Sequence, residues 1–433
     1  MDSSNFATCT LKRLIRLAPN SVEKFRTKVR GTTWRRTLFR AASAASFVLL
    51  AACNAGGGGH AAKVTAEPNS GLSPTAGLGK KIFSDETLSA SGRQSCATCH
   101  SPDHAHAQPN NLAVQPGGTN LDRPGFRAVP SLRYLDLNPA FSFSDEGTPT
   151  GGFNRDGRAQ TLAAQAQRPF LAQHEMANAN KEEVIKRLRR ASYFEEFRNV
   201  FGSHILEHPD EAFDRLTFAL QQFQVEAPEF HPFNSRYDQF LAGKATLNDA
   251  EQRGLAIFND PEKGNCFACH PSAKGADGTP PLFTDFTFDN LGVPRNSAIA
   301  ANRDSTYFDL GLCGPDRIDL AAQAELCGAF KVPTLRNVAT RKVFFHNGAF
   351  TSQRDAVSFY ARRDTHPGEW YPAGPGGAPQ KFNDLPQQYR DNVNTDEVPY
   401  DRLPGMMPAL SAADIDDLVR FLETLTDLST SAQ

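Results

Sequence analysis

Apolar residues recur at helical spacing in a few separated stretches of this chain, with Pro- and Gly-rich segments between them. Lys181 to Phe197 and Ala212 to Val225 carry the pattern of amphipathic helices. A terminal stretch opens with the cap pattern Ser411-Ala-Ala-Asp414 and puts Ile415, Leu418, Val419, Leu422 and Leu425 on one face. Two shorter pieces resemble each other: Gly79-Lys-Lys-Ile82-Phe83 and Gly254-Leu-Ala-Ile257-Phe258. Each reads as a short helix leading into a Cys-x-x-Cys-His loop. His231-Pro-Phe-Asn and Leu241-Ala-Gly-Lys mark a linker between the halves. The pattern predicts a mainly α protein in which one helix-and-loop unit is used twice, with loop-rich connections and little β.

The N-terminus follows a different pattern. Arg35, Arg36 and Arg40 precede an apolar run from Ala41 to Ala52, which ends Leu50-Ala51-Ala52-Cys53. A basic flank, a short apolar run and a lipobox-like site describe an export signal. At about a dozen residues the run is too short for a membrane-spanning helix. Cleavage before Cys53 would make Cys53 a lipidation site; an ordinary signal peptide with an incidental Cys53 is the alternative. Residues 55 to 74, rich in Gly, Ala and Ser, read as a flexible tether. The chain thus divides into a signal region 1–53, a tether 54–76, a first haem unit 77–243 and a second haem unit 244–433.

The chemistry is concentrated in Cys96-Ala-Thr-Cys99-His100 and Cys266-Phe-Ala-Cys269-His270. Two cysteines at this spacing can add to the vinyl groups of a haem, and the adjacent histidine then reaches the iron. A zinc knuckle or redox dithiol is the alternative for a single Cys-x-x-Cys, but both pairs here are followed directly by His. Two covalently bound c-type haems are expected. That chemistry occurs outside the bacterial cytoplasm, in agreement with the export signal. Cys313 and Cys327 remain, and in an oxidising compartment they can pair; two free thiols are the alternative.

Composition adds less. A net charge of −2 gives no argument for nucleic acid or an acidic membrane surface, so any membrane contact rests on the lipid anchor. The 32 Phe and 29 Pro suit aromatic-lined haem pockets in irregular backbone.

Several further blocks occur in a recognisable order. They are Asp156-Gly-Arg158 followed by Gln165, Pro169 and Glu175-Met176; Phe283-Thr-Asp-Phe286 with Asn290-Leu-Gly-Val-Pro294; and Val332-Pro-Thr-Leu-Arg-Asn337 with Phe345-His346-Asn-Gly348. With the two haem motifs, they make the chain resemble the bacterial di-haem cytochrome c peroxidases and their MauG-type relatives over roughly Gly77 to Asp427. The resemblance implies that Glu175 and Gln165 sit over the open face of the first haem, where hydrogen peroxide binds. A carboxylate there can move a proton between the two peroxide oxygens as their bond breaks. It also implies His100 and His270 as proximal iron ligands.

Three departures bear on the branch of the family. Peroxidases that rest inactive close the first haem with a second His; the matching position here is near Asn120, and the sequence has no His between His106 and His174. His104 and His106 are better suited to capping the loop or meeting a propionate than to ligating iron. The peroxidases place an axial Met where this chain has Tyr360, and MauG-type enzymes have Tyr there. A phenolate stabilises the higher oxidation states of iron, whereas a thioether favours the ferrous form. Met406 or Met407 is the competing ligand, and a buried core phenol is the bland reading of Tyr360. Finally, relatives carry Trp before Asp-Gly-Arg, between the haems, and this chain has Arg155; Trp370, Tyr134 or a Phe would have to stand in. The Asn that helps bind an inter-domain calcium matches Ala128, which leaves calcium open, with main-chain carbonyls around Arg341 and Val343 as remaining donors.

By resemblance, the chain is a periplasm-facing oxidoreductase of a Gram-negative bacterium, anchored to the outer membrane through Cys53. It would react with hydrogen peroxide and use high-valent haems to oxidise a Trp or Tyr of a partner protein. Peroxide detoxification with electrons from a small cytochrome c or copper protein is the second reading. A non-catalytic two-haem electron carrier is the third. Dimers are common in the family, so a homodimer belongs to the expectation.

Overall fold

The computed structural model describes residues 71–428. The expected export signal, Cys53 and residues 54–70 of the expected tether lie outside the described residues. The fold is mainly helical. Helices α1 (Pro74–Ser84), α2 (Cys96–Cys99), α3 (Leu162–Leu171), α4 (Lys181–Leu188), α5 (Phe194–Phe201) and α6 (Pro209–Glu226) come first. They are followed by α7 (Arg236–Leu241), α8 (Asp249–Phe258), α9 (Gln353–Arg362) and α10 (Ala412–Glu423). Three two-residue antiparallel ladders accompany them: β1 (Pro116–Gly117) with β2 (Arg123–Pro124), β3 (Ser142–Phe143) with β4 (Pro149–Thr150), and β5 (Phe288–Asp289) with β6 (Phe330–Lys331).

The two look-alike helices do the same job. Helix α1 starts at Pro74, three residues inside the expected tether, because Ser73 accepts the Ala76 N–H and is itself held by Glu226 at the end of α6. Its Gly79 lies against α6, where an added Cβ would stand 2.0 Å from the Ala219 carbonyl oxygen. Gly254 of α8 lies against α10 in the same way, with the Asp417 carbonyl oxygen 2.1 Å from such a Cβ. No side chain larger than hydrogen permits either crossing without a shift.

Each crossing supports a core. Leu78, Ile82, Phe83, Leu216, Leu220, Phe223 and Phe230 belong to the first, and Tyr237, Ile257, Phe258, Phe283, Leu418, Phe421 and Leu422 to the second. Each such buried side chain contributes roughly 1.5–3 kcal/mol of transfer free energy. The terminal helix forms as its pattern predicts, with a Ser411/Asp414 capping box and Ile415, Leu418, Phe421 and Leu422 buried.

Two local expectations change. The helical pattern from Lys181 to Phe197 is divided between α4 and α5, because the chain turns after Leu188 and carries Tyr193 inward. The Tyr193 hydroxyl donates to Asp85 at 2.6 Å. The expected linker contains α7, whose Tyr237 is buried in the second core. Buried polar ties join the halves. Asp427 accepts from the Tyr134 hydroxyl at 2.6 Å and from Arg133 at 3.1 Å, while Arg336 holds Asp238 through two hydrogen bonds. Cys313 and Cys327 form a disulfide. No helix among the described residues is long and apolar enough to cross a membrane.

Candidate active site

Two deep cavities contain the Cys-x-x-Cys-His motifs. The first is lined by Cys96, Cys99 and His100, by apolar Phe83, Leu132 and Leu220, and by Gln165, Arg168 and Glu175. The second is lined by Cys266, Cys269 and His270, by Phe258, Leu335 and Leu418, and by Tyr360 and Tyr400. All four motif cysteines are free of disulfides. Burial pushes the Cys96 and Cys266 thiols up to about 12 and Cys99 to about 11, which keeps all three protonated near neutral pH.

The imidazoles are oriented alike. His100 Nδ1 lies 3.0 Å from the Pro130 carbonyl oxygen and 3.2 Å from that of His106. His270 Nδ1 lies 2.7 Å from the Phe283 carbonyl oxygen. A carbonyl can only accept, so Nδ1 carries the proton and Nε2 has the lone pair a metal needs. Burial lowers both imidazoles, His100 to about 4, which keeps them neutral. Apolar walls, paired thiols, an oriented imidazole and, as shown below, unpaired cations fit one haem per cavity.

Helix α3 positions the polar wall of the first cavity. Thr161 caps it, and Gln165 and Arg168 follow one turn apart. The helix stops at Ala172, after which the chain turns so that the Glu175 N–H donates to the Ala172 carbonyl and the Glu175 carbonyl accepts from Gly118. Glu175 Oε2 is buried with no hydrogen-bond partner. Burial raises its carboxyl, opposed by the charges of Arg168 and Arg158. Arg168 donates to Asp316 at 2.6 Å, and Arg158 donates to buried Asp156 at 2.6 Å. Gln165 lies 3.5 Å from Asn154 Oδ1. His174, next to Glu175, packs edge-on against Phe126. His104 and His106 do not line this cavity: His104 meets Ser101 in the turn after the motif, and His106 is buried between Phe83 and Phe230.

Helix α9 positions the facing wall of the second cavity. Ser352 caps it, Phe359 is buried on its far side and Tyr360 turns toward the motif, beside Phe345 and Tyr400. The Tyr360 hydroxyl has no hydrogen-bond partner among the described residues, and burial raises it well above the ordinary phenol range. Met406 and Met407 are 50% and 84% exposed and do not line the cavity. His346 does, stacked 3.7 Å from Phe330.

Arg155 lines both cavities. Trp370 instead packs with Phe350 and Phe359, and Tyr134 is tied to Asp427; neither lines a cavity. Of the residues singled out in the sequence, Cys96, Cys99, His100, Gln165 and Glu175 line the first cavity and Cys266, Cys269, His270 and Tyr360 the second. Sequence reasoning missed Arg168, Asp316 and Tyr400. Arg168 had a local signal, standing one helical turn after Gln165; Asp316 had none, since its partner lies far away in the chain.

Comparison with known proteins agrees with this geometry. The family model described as di-haem cytochrome c peroxidase matches residues 73–246. The methylamine utilization protein MauG of Paracoccus denitrificans is 36% identical over 359 residues, spanning 81% of this chain and 88% of the relative. The cytochrome c551 peroxidase of Nitrosomonas europaea is 28% identical over 325 residues, 72% of this chain and 81% of that protein. The crystal structure of the diheme peroxidase BthA from Burkholderia thailandensis superposes with a TM-score of 0.75 at 39% identity, covering 82% of this chain and 87% of that one. Relatives named as enzymes set aside the reading of a non-catalytic carrier. A two-cavity helical fold with a Cys-x-x-Cys-His motif in each cavity, matched to MauG over four-fifths of its length, makes this chain a di-haem oxidoreductase of the cytochrome c peroxidase and MauG family.

Proposed function

We propose that the enzyme binds hydrogen peroxide in the first cavity and draws the electrons for its reduction from a side chain of a partner protein. In this reading Cys96, Cys99, Cys266 and Cys269 hold two haems covalently, and His100 and His270 are their proximal ligands. When bound, the haems supply the redox centres that accept oxidising equivalents from peroxide. Glu175 moves a proton from one peroxide oxygen to the other, and Gln165 orients the molecule by hydrogen bonding. One peroxide takes up two electrons and two protons to give two waters; Trp or Tyr side chains of the partner give up the two electrons and are oxidised. Tyr360 would hold the iron of the second haem together with His270. The units 77–243 and 244–433 then have separate tasks, peroxide chemistry and charge storage. The protein acts in the periplasm, held to the outer membrane through Cys53.

The observation carrying this reading is the contrast across the two imidazoles: a buried, unpartnered carboxylate oxygen in one cavity and an unpartnered phenol in the other. Its test is to mix the fully ferric protein, without reductant, with one equivalent of peroxide and follow the optical, near-infrared and paramagnetic resonance spectra. Loss of both ferric signals together is expected. A protein that stays unchanged until a donor pre-reduces it would instead be an ordinary peroxidase served by a small electron carrier. One observation favours that second reading: BthA, similar at 39% identity, is named a peroxidase.

A further inference from the structure

Where the two cavities adjoin, the chain buries more positive charge than it neutralises. Arg155 lines both cavities, and its Nε donates to the Ala128 carbonyl at 3.0 Å. Arg341 lines the second cavity, and its Nε is buried with no hydrogen-bond partner. Arg155 feels the repulsion of Arg341 and of Arg127 and the attraction of Asp309, and neither Arg155 nor Arg341 forms an ion pair among the described residues. Two neighbouring cations have hydrogen-bond partners, Arg127 with two acids and Lys331 with neutral oxygens. Arg127 is clamped by Asp309 through two hydrogen bonds and by Asp156 through a third, and the Lys331 ammonium donates to Asn138 and to the Gly152 carbonyl. The cavity acid Asp309 attracts Arg155 but gives both its oxygens to Arg127, so Arg155 and Arg341 line cavity space with no ion pair of their own.

Two buried like charges are tolerated only if an anion completes them. The family binds two haems, and each haem carries two propionate carboxylates, the planar anions that guanidinium holds best. We infer that Arg155 and Arg341 are the propionate-holding groups of this enzyme, with Arg155 shared between the two haems and Arg341 serving the second. Their positive charge stands where a divalent cation between the haems would otherwise be needed. The Ala128 carbonyl, an oxygen such a cation could use, already accepts from Arg155.

A nearby positive charge disfavours the ferric state, so removing it lowers the reduction potential of the haem it faces. In the haem-loaded full chain, Arg155→Gln is expected to shift both midpoint potentials downward and Arg341→Gln only that of the second haem, as read by spectroelectrochemistry. Arg155→Lys, which keeps the charge, should leave both near the wild-type values. Wild-type protein dialysed against calcium and then plain buffer should retain none by elemental analysis. The inference is overturned if Arg155→Gln moves one potential or neither, if Arg341→Gln moves both or neither, if Arg155→Lys acts like Arg155→Gln, or if one calcium per chain is retained. The calcium count decides even where a variant fails to take up haem. None of these readings depends on whether a partner protein is oxidised, so they stand apart from the proposed function.

Discussion

The two cavities share one construction and differ in one wall. In each, a glycine-bearing helix crosses a terminal helix, a Cys-x-x-Cys-His loop follows, and a backbone carbonyl fixes the proton on the histidine Nδ1. The first cavity is lined by Glu175 and Gln165 beside the ion pairs of Arg168 and Arg158, and the second by Tyr360 and by Tyr400, whose hydroxyl donates to Asp289 and Glu397. A duplicated scaffold supplies cofactor binding twice; the facing wall decides whether a site can move protons. The carboxylate wall suits reaction with peroxide, and the phenol wall suits holding charge.

Removing the proton-moving group should break this contrast most severely. Glu175→Gln is expected to slow the reaction with peroxide by about 10²–10⁴-fold, in the range typical of lost general acid–base catalysis, without altering the spectrum of the second haem. Stopped-flow spectroscopy measures it, and an unchanged rate would remove Glu175 from the mechanism. The shared scaffold is tested by paired substitutions. Gly79→Ala and Gly254→Ala each force a methyl group against a backbone carbonyl and should destabilise by about 2–4 kcal/mol in chemical unfolding. A large cost for one and none for the other would show that the two crossings are not equivalent.

Tyr360→Met probes the difference itself. Replacing the phenol by a thioether should raise the potential of the second haem by an amount on the order of 100 mV, about 2 kcal/mol for one electron, and leave the first nearly unmoved. If the potential does not respond, Tyr360 is a packing phenol. The smallest effect concerns the ion pair that ties α3 to the disulfide-bearing loop. Burial alone would raise Asp316, but the Arg168 hydrogen bond and the charges of Arg168, Arg127 and Arg158 hold it down, to about 2 from 3.8. A depressed carboxyl stabilises the fold above its unfolded value and loses that contribution as pH falls through its folded value. Wild type should therefore exceed Asp316→Asn in stability by about 1 kcal/mol near pH 6, and the gap should close near pH 2. A gap that persists at pH 2 would assign the effect to shape rather than charge.

Most of the site was legible in the chain because its signals are local. Cysteine pairs three positions apart, the histidine beside them, the cap at Ser411 and the apolar face after it are all written within one or two helical turns. The same locality misled at Lys181 to Phe197, where burial of Tyr193 and its bond to Asp85 outweighed a continuous helical pattern. Met406 and Met407 stood as competitors to Tyr360 in the sequence, since motif context carries no information about exposure.

By itself, then, the sequence determined the mainly helical, duplicated plan and the two Cys-x-x-Cys-His motifs, and it singled out Glu175 and Tyr360 as candidates to distinguish the two sites. Only the tertiary structure decided which wall each residue joins, that Arg155 stands between the cavities, that Arg341 is left unpaired beside it, and that Asp316 answers Arg168. The physical reason is range. Covalent spacing and helical periodicity act over a few residues, whereas burial and the pairing of charges depend on segments that folding brings together from distant parts of the chain.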